Sequence, residues 1–290
     1  MQGIHASLVT PFTHAGDVDT KSLERLARHC LENGVAGLVA LGTTGEAALL
    51  NAAERRAVLE VCRAVSLEHG TPLIVGAGTM GTEDSIAEAS ERAPLADALL
   101  VVVPYYLRPS DDGVVDHIAA VGAAVDVPLL PYNIPYRTGK HLTSEGLLRL
   151  LALDCVDGLK HCPGAVDHDT LDLLAADHRK SVLCGDDPYV FPMLALGAAG
   201  SITASACLAP ATYSSMAEAV GTCNTTRARA LHKALLPMVD ALFSEPSPAV
   251  LKAALAERGI IDDPGVRAPL HAPRPTSVSQ ALTALRALPD

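Results

Sequence analysis

Eight short apolar runs, each followed by a stretch of helical period, constrain this chain more than any other feature. The runs are IHASLVT (4–10), AGLVALG (36–42), PLIVGAG (72–78), ADALLVVVP (96–104), VPLLPYN (127–133), CVDGLKH (155–161), KSVLCGD (180–186) and AGSITAS (199–205). Their length, apolar content and flanking Gly, Pro and Asp mark buried strands. The intervening segments repeat as helices do. Residues 19–34 place Leu23, Leu26, Ala27, Cys30 and Leu31 on one face, with Gly34 as the stop signal. Residues 51–70 open on Asn51, and residues 143–153 on Thr143 with Glu145 nearby, both good N-cap types. Parallel neighbours need a crossover helix, so this alternation predicts a parallel sheet. Eight units in roughly 220 residues suit a closed (β/α)₈ TIM barrel of the α/β class better than an open doubly wound sheet, the alternative architecture.

Strand patterns stop beyond residue 222. Residues 225–243 and 247–259 read as amphipathic helices, 276–288 as a short final helix, and Pro264 to Pro275 as an irregular connector. The expected division is a barrel over residues 1–222 and a C-terminal helical region over 223–290 packed on it.

The 290 residues are 49% hydrophobic, enough to bury a large core. A formal net charge of −11 argues against a general nucleic-acid binder, which carries a basic face. No apolar run approaches the ~18 residues of a membrane span. The opening MQGIHASLVTPF lacks the basic start and long apolar core of a signal peptide. Seven cysteines without a C-x-x-C pair predict reduced thiols in a cytoplasmic protein, not a disulfide framework or a zinc site.

Two glycine-rich stretches invite cofactor readings. GAGTMG at 76–81 fits the G-x-G-x-x-G dinucleotide pattern, but the next strand ends in Val103-Pro104 without the required acidic residue. A tight βα turn is expected there instead. GTTGE at 42–46 lacks the Gly-Lys-Ser/Thr of a phosphate loop.

In a barrel of this kind the site lies at the C-terminal ends of the strands. The polar residues collected there are Thr10, Thr43, Thr44, Tyr105, Tyr106, Tyr132, Lys160 and Asp186. One amine among phenols and paired hydroxyls is the equipment of Schiff-base catalysis. Desolvation favours the neutral amine of such a lysine, which attacks a ketone, and the iminium then makes an adjacent carbon acidic. A tyrosine within hydrogen-bond reach can carry the proton. The Gly-Thr-Thr-Gly turn could hold a substrate carboxylate, and Arg137 has the planar fork to bind another. His161 and Cys162 could suggest a metal that polarises the ketone. No third ligand stands at usable spacing, and a Schiff-base lysine makes a metal redundant.

The chain resembles the dihydrodipicolinate synthase / N-acetylneuraminate lyase family of pyruvate-dependent class I aldolases. GIHASLVTPF, GTTGE, VVVPYYLRP, PYNIPYRTG, GLK, GDD and GSITASA carry the resemblance across nearly the whole length. It implies a (β/α)₈ barrel with a C-terminal helical region, assembled as a homotetramer or homodimer, and no cofactor beyond the covalent pyruvate adduct. It also implies roles. Lys160 resembles the Schiff-base lysine, Tyr132 the proton-transferring phenol and Thr43 the relay hydroxyl. Thr44 resembles the pyruvate-carboxylate binder, and Tyr106 the tyrosine that completes the relay across a subunit interface. Gly185 and Ile202 match backbone positions lining the pyruvate pocket.

Arg137 matches the residue that the family's synthases use for the carboxylate of aspartate semialdehyde. The expected reaction is therefore condensation of pyruvate with L-aspartate-4-semialdehyde to 4-hydroxy-tetrahydrodipicolinate. The chain departs from the usual pattern at Lys160-His161-Cys162-Pro163-Gly164, where family synthases carry Lys-Glu-Ala-Thr/Ser-Gly, and at Tyr136, commonly a small residue. Other aldehydes of the 2-keto-3-deoxy sugar acid, 4-hydroxy-2-oxoglutarate or N-acetylneuraminate type therefore stay open. A metabolite-binding barrel without turnover is the alternative of another class. Ala47, Ala52 and Met80 stand where polar side chains often bind the feedback inhibitor lysine, which implies weak or absent inhibition.

Overall fold

The computed structural model describes residues 1–177 and 179–289. Its strands are β1 (Gly3–Ser7), β2 (Gly37–Ala40), β3 (Leu73–Ala77), β4 (Ala98–Val102), β5 (Leu129–Asn133), β6 (Gly158–His161), β7 (Ser181–Cys184) and β8 (Gly200–Thr203). They neighbour one another in chain order and close into a barrel. The helices are α1 (Thr20–Glu32), α2 (Ala52–His69), α3 (Thr82–Arg92), α4 (Asp111–Ala123), α5 (Pro135–Thr138) and α6 (Ser144–Leu151). They continue as α7 (His168–Ala175), α8 (Val190–Ala195), α9 (Pro210–Gly221), α10 (Thr225–Leu242), α11 (Ala249–Glu257) and α12 (Pro275–Arg286). The closed α/β barrel expected from the alternation is the fold that forms, with helices alone after residue 222 among the described residues.

The chain holds two compact units: Met1–Gln2 with Leu73–Ile202, and Gly3–Pro72 with Thr203–Asp290. In the first, β3 to β8 pair in parallel, with Val102 opposite Tyr132, Tyr132 opposite Lys160, and Lys160 opposite Leu183. Every residue of β3, β5 and β6 is buried, as parallel strands covered by helices require. In the turn after β3, Thr79 Oγ1 donates to the carbonyl of Gly81 at 3.1 Å, and Ser85 Oγ accepts the Thr79 amide at 2.8 Å. Gly78 sits there at φ +99°, where a Cβ would also lie 3.1 Å from a methyl of Val101. The GAGTMG stretch is thus a closed βα turn.

In the second unit β1 pairs with β2, His5 lying opposite Gly37. Helix α1 forms because Asp19 accepts the amides of Lys21 and Ser22 at 3.1 Å each, satisfying donors the first turn leaves open. The face predicted from periodicity is the face it buries: Leu23, Leu26, Ala27, Cys30 and Leu31. Each such leucine contributes roughly 2 kcal/mol relative to an exposed one. Helix α2 opens on a capping box between Asn51 and Glu54. Helices α9, α10, α11 and α12 pack against one another in this unit, with α12 lying along α10.

Candidate active site

Strands β5 and β6 position the amine. Lys160 is the third of four residues in β6, and Tyr132 lies inside β5 directly opposite it. Side chains alternate along a strand, so Lys160 and the next residue, His161, face opposite ways. His161 turns toward the helices. Its Nε2 pairs with Thr170 Oγ1 on α7 at 3.0 Å, and its Nδ1 with the Asn133 amide at 3.2 Å. Lys160 therefore faces the barrel interior, where it is 6% exposed. Its Nζ lies 4.3 Å from the centroid of the Tyr132 ring, itself 6% exposed.

Among the described residues no carboxylate lies within ion-pair distance of Lys160. A buried ammonium without a counter-ion is costly, so this lysine is not there for stability. Gly185 makes room for it. A Cβ at that position would meet Lys160 Cε at 2.7 Å and Cys162 Sγ at 2.0 Å. The amine, the phenol and the Gly185 backbone are thus brought together. Ile202 is fully buried on β8.

The residues after β5 carry two more of the side chains singled out in the sequence. Helix α5 carries Tyr136 and Arg137, both exposed, with the guanidinium carbon 6.0 Å from the Tyr136 ring centroid. Tyr106 is 81% exposed in a left-handed conformation at φ +66°, its amide bonded to the Thr138 carbonyl at 3.1 Å. Its side chain is directed to the surface and does not join the lysine.

The paired hydroxyls belong to the second unit. Thr43, Thr44 and Gly45 form a 3₁₀ turn, with Thr43 exposed and Thr44 half-buried. Ser7 Oγ donates to Thr44 Oγ1 at 3.2 Å, which leaves the Thr44 hydrogen available to another acceptor. Thr10 Oγ1 donates to the Gly45 carbonyl at 2.7 Å. Glu46 follows at φ +53° and is clamped by Lys252 and Arg267. That clamp is absent from the sequence expectations. Its only local sign is a lysine inside the apolar helix AVLKAALAE.

Both ring nitrogens of His161 are engaged by protein partners, and Cys162 packs against Gly185. Among the described residues no cluster of three or more His, Cys, Asp or Glu is placed to hold a metal ion. Nor is any described helix long and apolar enough to cross a membrane.

Burial lowers the His161 pKa from 6.5 to about 4, since a charged ring would lose its water. Within that window the unfolded chain binds a proton that the folded chain does not. The stability from neutral His161 is therefore present above pH 6.5 and lost as pH falls toward about 4. The loss is ~1.4 kcal/mol per pH unit. The melting temperature should fall more steeply with acid in the parent protein than in His161→Gln. Equal slopes in scanning calorimetry would show that the folded ring accepts its proton normally.

Comparison with known proteins agrees with this geometry. The chain is 37% identical over 279 residues to the 4-hydroxy-tetrahydrodipicolinate synthase of Syntrophus aciditrophicus, covering 95% of this chain and 94% of that protein. The structure of the 4-hydroxy-tetrahydrodipicolinate synthase from Methylacidiphilum fumariolicum SolV superposes with a TM-score of 0.93 at 31% identity, covering 99% of this chain and 95% of that one. The chloride-inhibited dihydrodipicolinate synthase from Acinetobacter baumannii, complexed with pyruvate, gives 0.93 at 33% identity, with 99% and 98% covered. The model of the dihydrodipicolinate synthetase family matches residues 1–286, and the chain belongs to that family.

Proposed function

We propose that this protein condenses pyruvate with L-aspartate-4-semialdehyde to 4-hydroxy-tetrahydrodipicolinate through a Schiff base on Lys160. The observation that carries the reading is the buried amine, unpaired by any carboxylate among the described residues, over the Tyr132 ring. Lys160 Nζ adds to the pyruvate ketone, and the carbinolamine loses water to give the imine. Loss of a methyl proton yields the enamine, whose carbon attacks the aldehyde. The amino group of the acceptor then displaces Lys160 from the imine, closing the ring and freeing the lysine. One water leaves for each product formed. No cofactor is needed, because the iminium is the electron sink.

In this reading Tyr132 carries the proton and Thr43 relays it. Thr44 holds the pyruvate carboxylate through its hydroxyl and backbone N–H, and Gly185 and Ile202 line that pocket. Arg137 binds the carboxylate of the semialdehyde. Tyr106, exposed as it is, completes the relay of a neighbouring subunit in a homotetramer or homodimer. Residues 1–222 are the catalytic barrel and 223–290 its helical appendage, in a cytoplasmic enzyme weakly or not at all inhibited by lysine.

The test is turnover of pyruvate against a panel of aldehydes. Aspartate semialdehyde should give the highest kcat/KM. A preference of tenfold or more for a sugar-derived aldehyde would replace this acceptor while keeping the pyruvate chemistry.

A further inference from the structure

We propose that Tyr136 limits the length of the acceptor aldehyde, restricting the site to short acceptors and excluding extended polyhydroxylated chains. This rests on the reading that Lys160 carries pyruvate and Arg137 the acceptor carboxylate. The Tyr136 hydroxyl donates to Asp186 Oδ1 at 3.1 Å, and the Gly164 amide donates to Asp186 Oδ2 at 2.7 Å. One carboxylate thereby ties together the segments that follow β5, β6 and β7. The Tyr136 ring closes over Gly164, where an added Cβ would stand 3.6 Å from ring Cδ1, ordinary van der Waals contact. Asp186 directly follows Gly185, whose backbone packs on Lys160, and it feels the lysine charge. The strap is thus anchored beside the amine.

Chemistry makes the strap durable. Burial holds Asp186 above the usual carboxylate range, while the Gly164 and Tyr136 bonds oppose that rise. Burial, Cys162 and Asp186 push the Tyr136 phenol up, so it stays a donor. The ring is also the immediate neighbour of Arg137, its centroid 6.0 Å from the guanidinium carbon. In this reading an acceptor anchored on Arg137 approaches the enamine past the neighbouring Tyr136 ring. A short chain can do so. A longer one meets the aromatic face, which offers a hydroxyl no conventional hydrogen-bond partner, and unpaired polar groups are where binding discrimination is largest.

The experiment compares the parent protein with Tyr136→Ala and Tyr136→Phe. It measures kcat/KM for aspartate semialdehyde and for D-arabinose and N-acetylmannosamine, with borohydride trapping of pyruvate on each sample. Tyr136→Ala should raise the sugar-to-semialdehyde ratio by about tenfold or more. Tyr136→Phe, which keeps the ring over Gly164 but loses the bond to Asp186, should raise it by clearly less than Tyr136→Ala does. An unchanged ratio in Tyr136→Ala, or an equal rise in Tyr136→Phe, overturns the proposal while pyruvate trapping shows that the Schiff-base reading stands. Absence of trapping in the parent protein overturns both. Should Tyr136→Ala alone fail to trap pyruvate, Tyr136→Leu supplies the truncation for the same comparison.

Discussion

Borohydride added to the protein with pyruvate should leave one reduced adduct per chain, and Lys160→Ala should leave none. Turnover should fall with it by about four orders of magnitude or more, because the variant loses the covalent route itself and not one contact along it. The expectation follows from position. Lys160 is 6% exposed, makes no ion pair among the described residues, and has its Nζ 4.3 Å from the Tyr132 ring centroid. Lysines elsewhere in the chain serve as controls: Lys140 is paired with Asp111 at 2.5 Å, and Lys180 donates to the Val156 carbonyl at 2.6 Å. Mass spectrometry of a proteolytic digest reads the site of attachment directly. An adduct that persists in Lys160→Ala would move the chemistry to another amine.

The strands could be read in the sequence because a parallel strand covered on both faces needs a continuous apolar run, and little else in a chain of this composition has one. The structure shortens each run. Residues 155–161 were expected as one strand, yet β6 holds only Gly158–His161, and Val156 makes an isolated bridge to Leu129. Helix starts were legible where the cap is local: Asn51 bonds Glu54 and Thr143 bonds Gly146, three residues away in each case. Lys160 was legible for a related reason, since a charge inside a buried strand contradicts its surroundings.

What stayed hidden is pairing between distant positions. The hydroxyl of Tyr136 finds Asp186 fifty residues on, and Asn133 meets His161 across adjacent strands. Neither pair leaves a local trace, because each partner alone reads as an ordinary polar residue at a strand end. The bulk of Tyr136 was visible in the sequence, but its tie to Asp186 was not.

The buried pair of Lys252 and Glu46 is the extreme case, and it carries the largest expected loss of stability. Lys252 Nζ lies 2.9 Å from Glu46 Oε1, with side chains 0% and 1% exposed. Burial holds the lysine below its usual pKa, and Glu46 works against that shift. The Phe12 ring lies against both cations, its centroid 4.0 Å from Lys252 Nζ and 4.4 Å from the Arg267 guanidinium carbon. The Arg267 amide donates to the other Glu46 oxygen at 2.9 Å. Lys252→Met would leave a carboxylate buried with that amide as its remaining donor, a cost of ~3–5 kcal/mol. In a chain of this size the melting temperature should drop by on the order of 10 °C. Pairing the change with Glu46→Leu should recover most of the loss, because two apolar side chains replace a buried ion pair at little net cost. Scanning calorimetry of the three proteins makes the comparison. A drop below about 2 °C in Lys252→Met would show that water or a shifted backbone takes the place of the ammonium. The double variant should also separate stability from catalysis. Glu46 directly follows the Thr43–Gly45 turn in a left-handed conformation, and without its clamp that turn should loosen. If Thr44 binds the pyruvate carboxylate as proposed, restored melting with a raised KM for pyruvate is the expected signature.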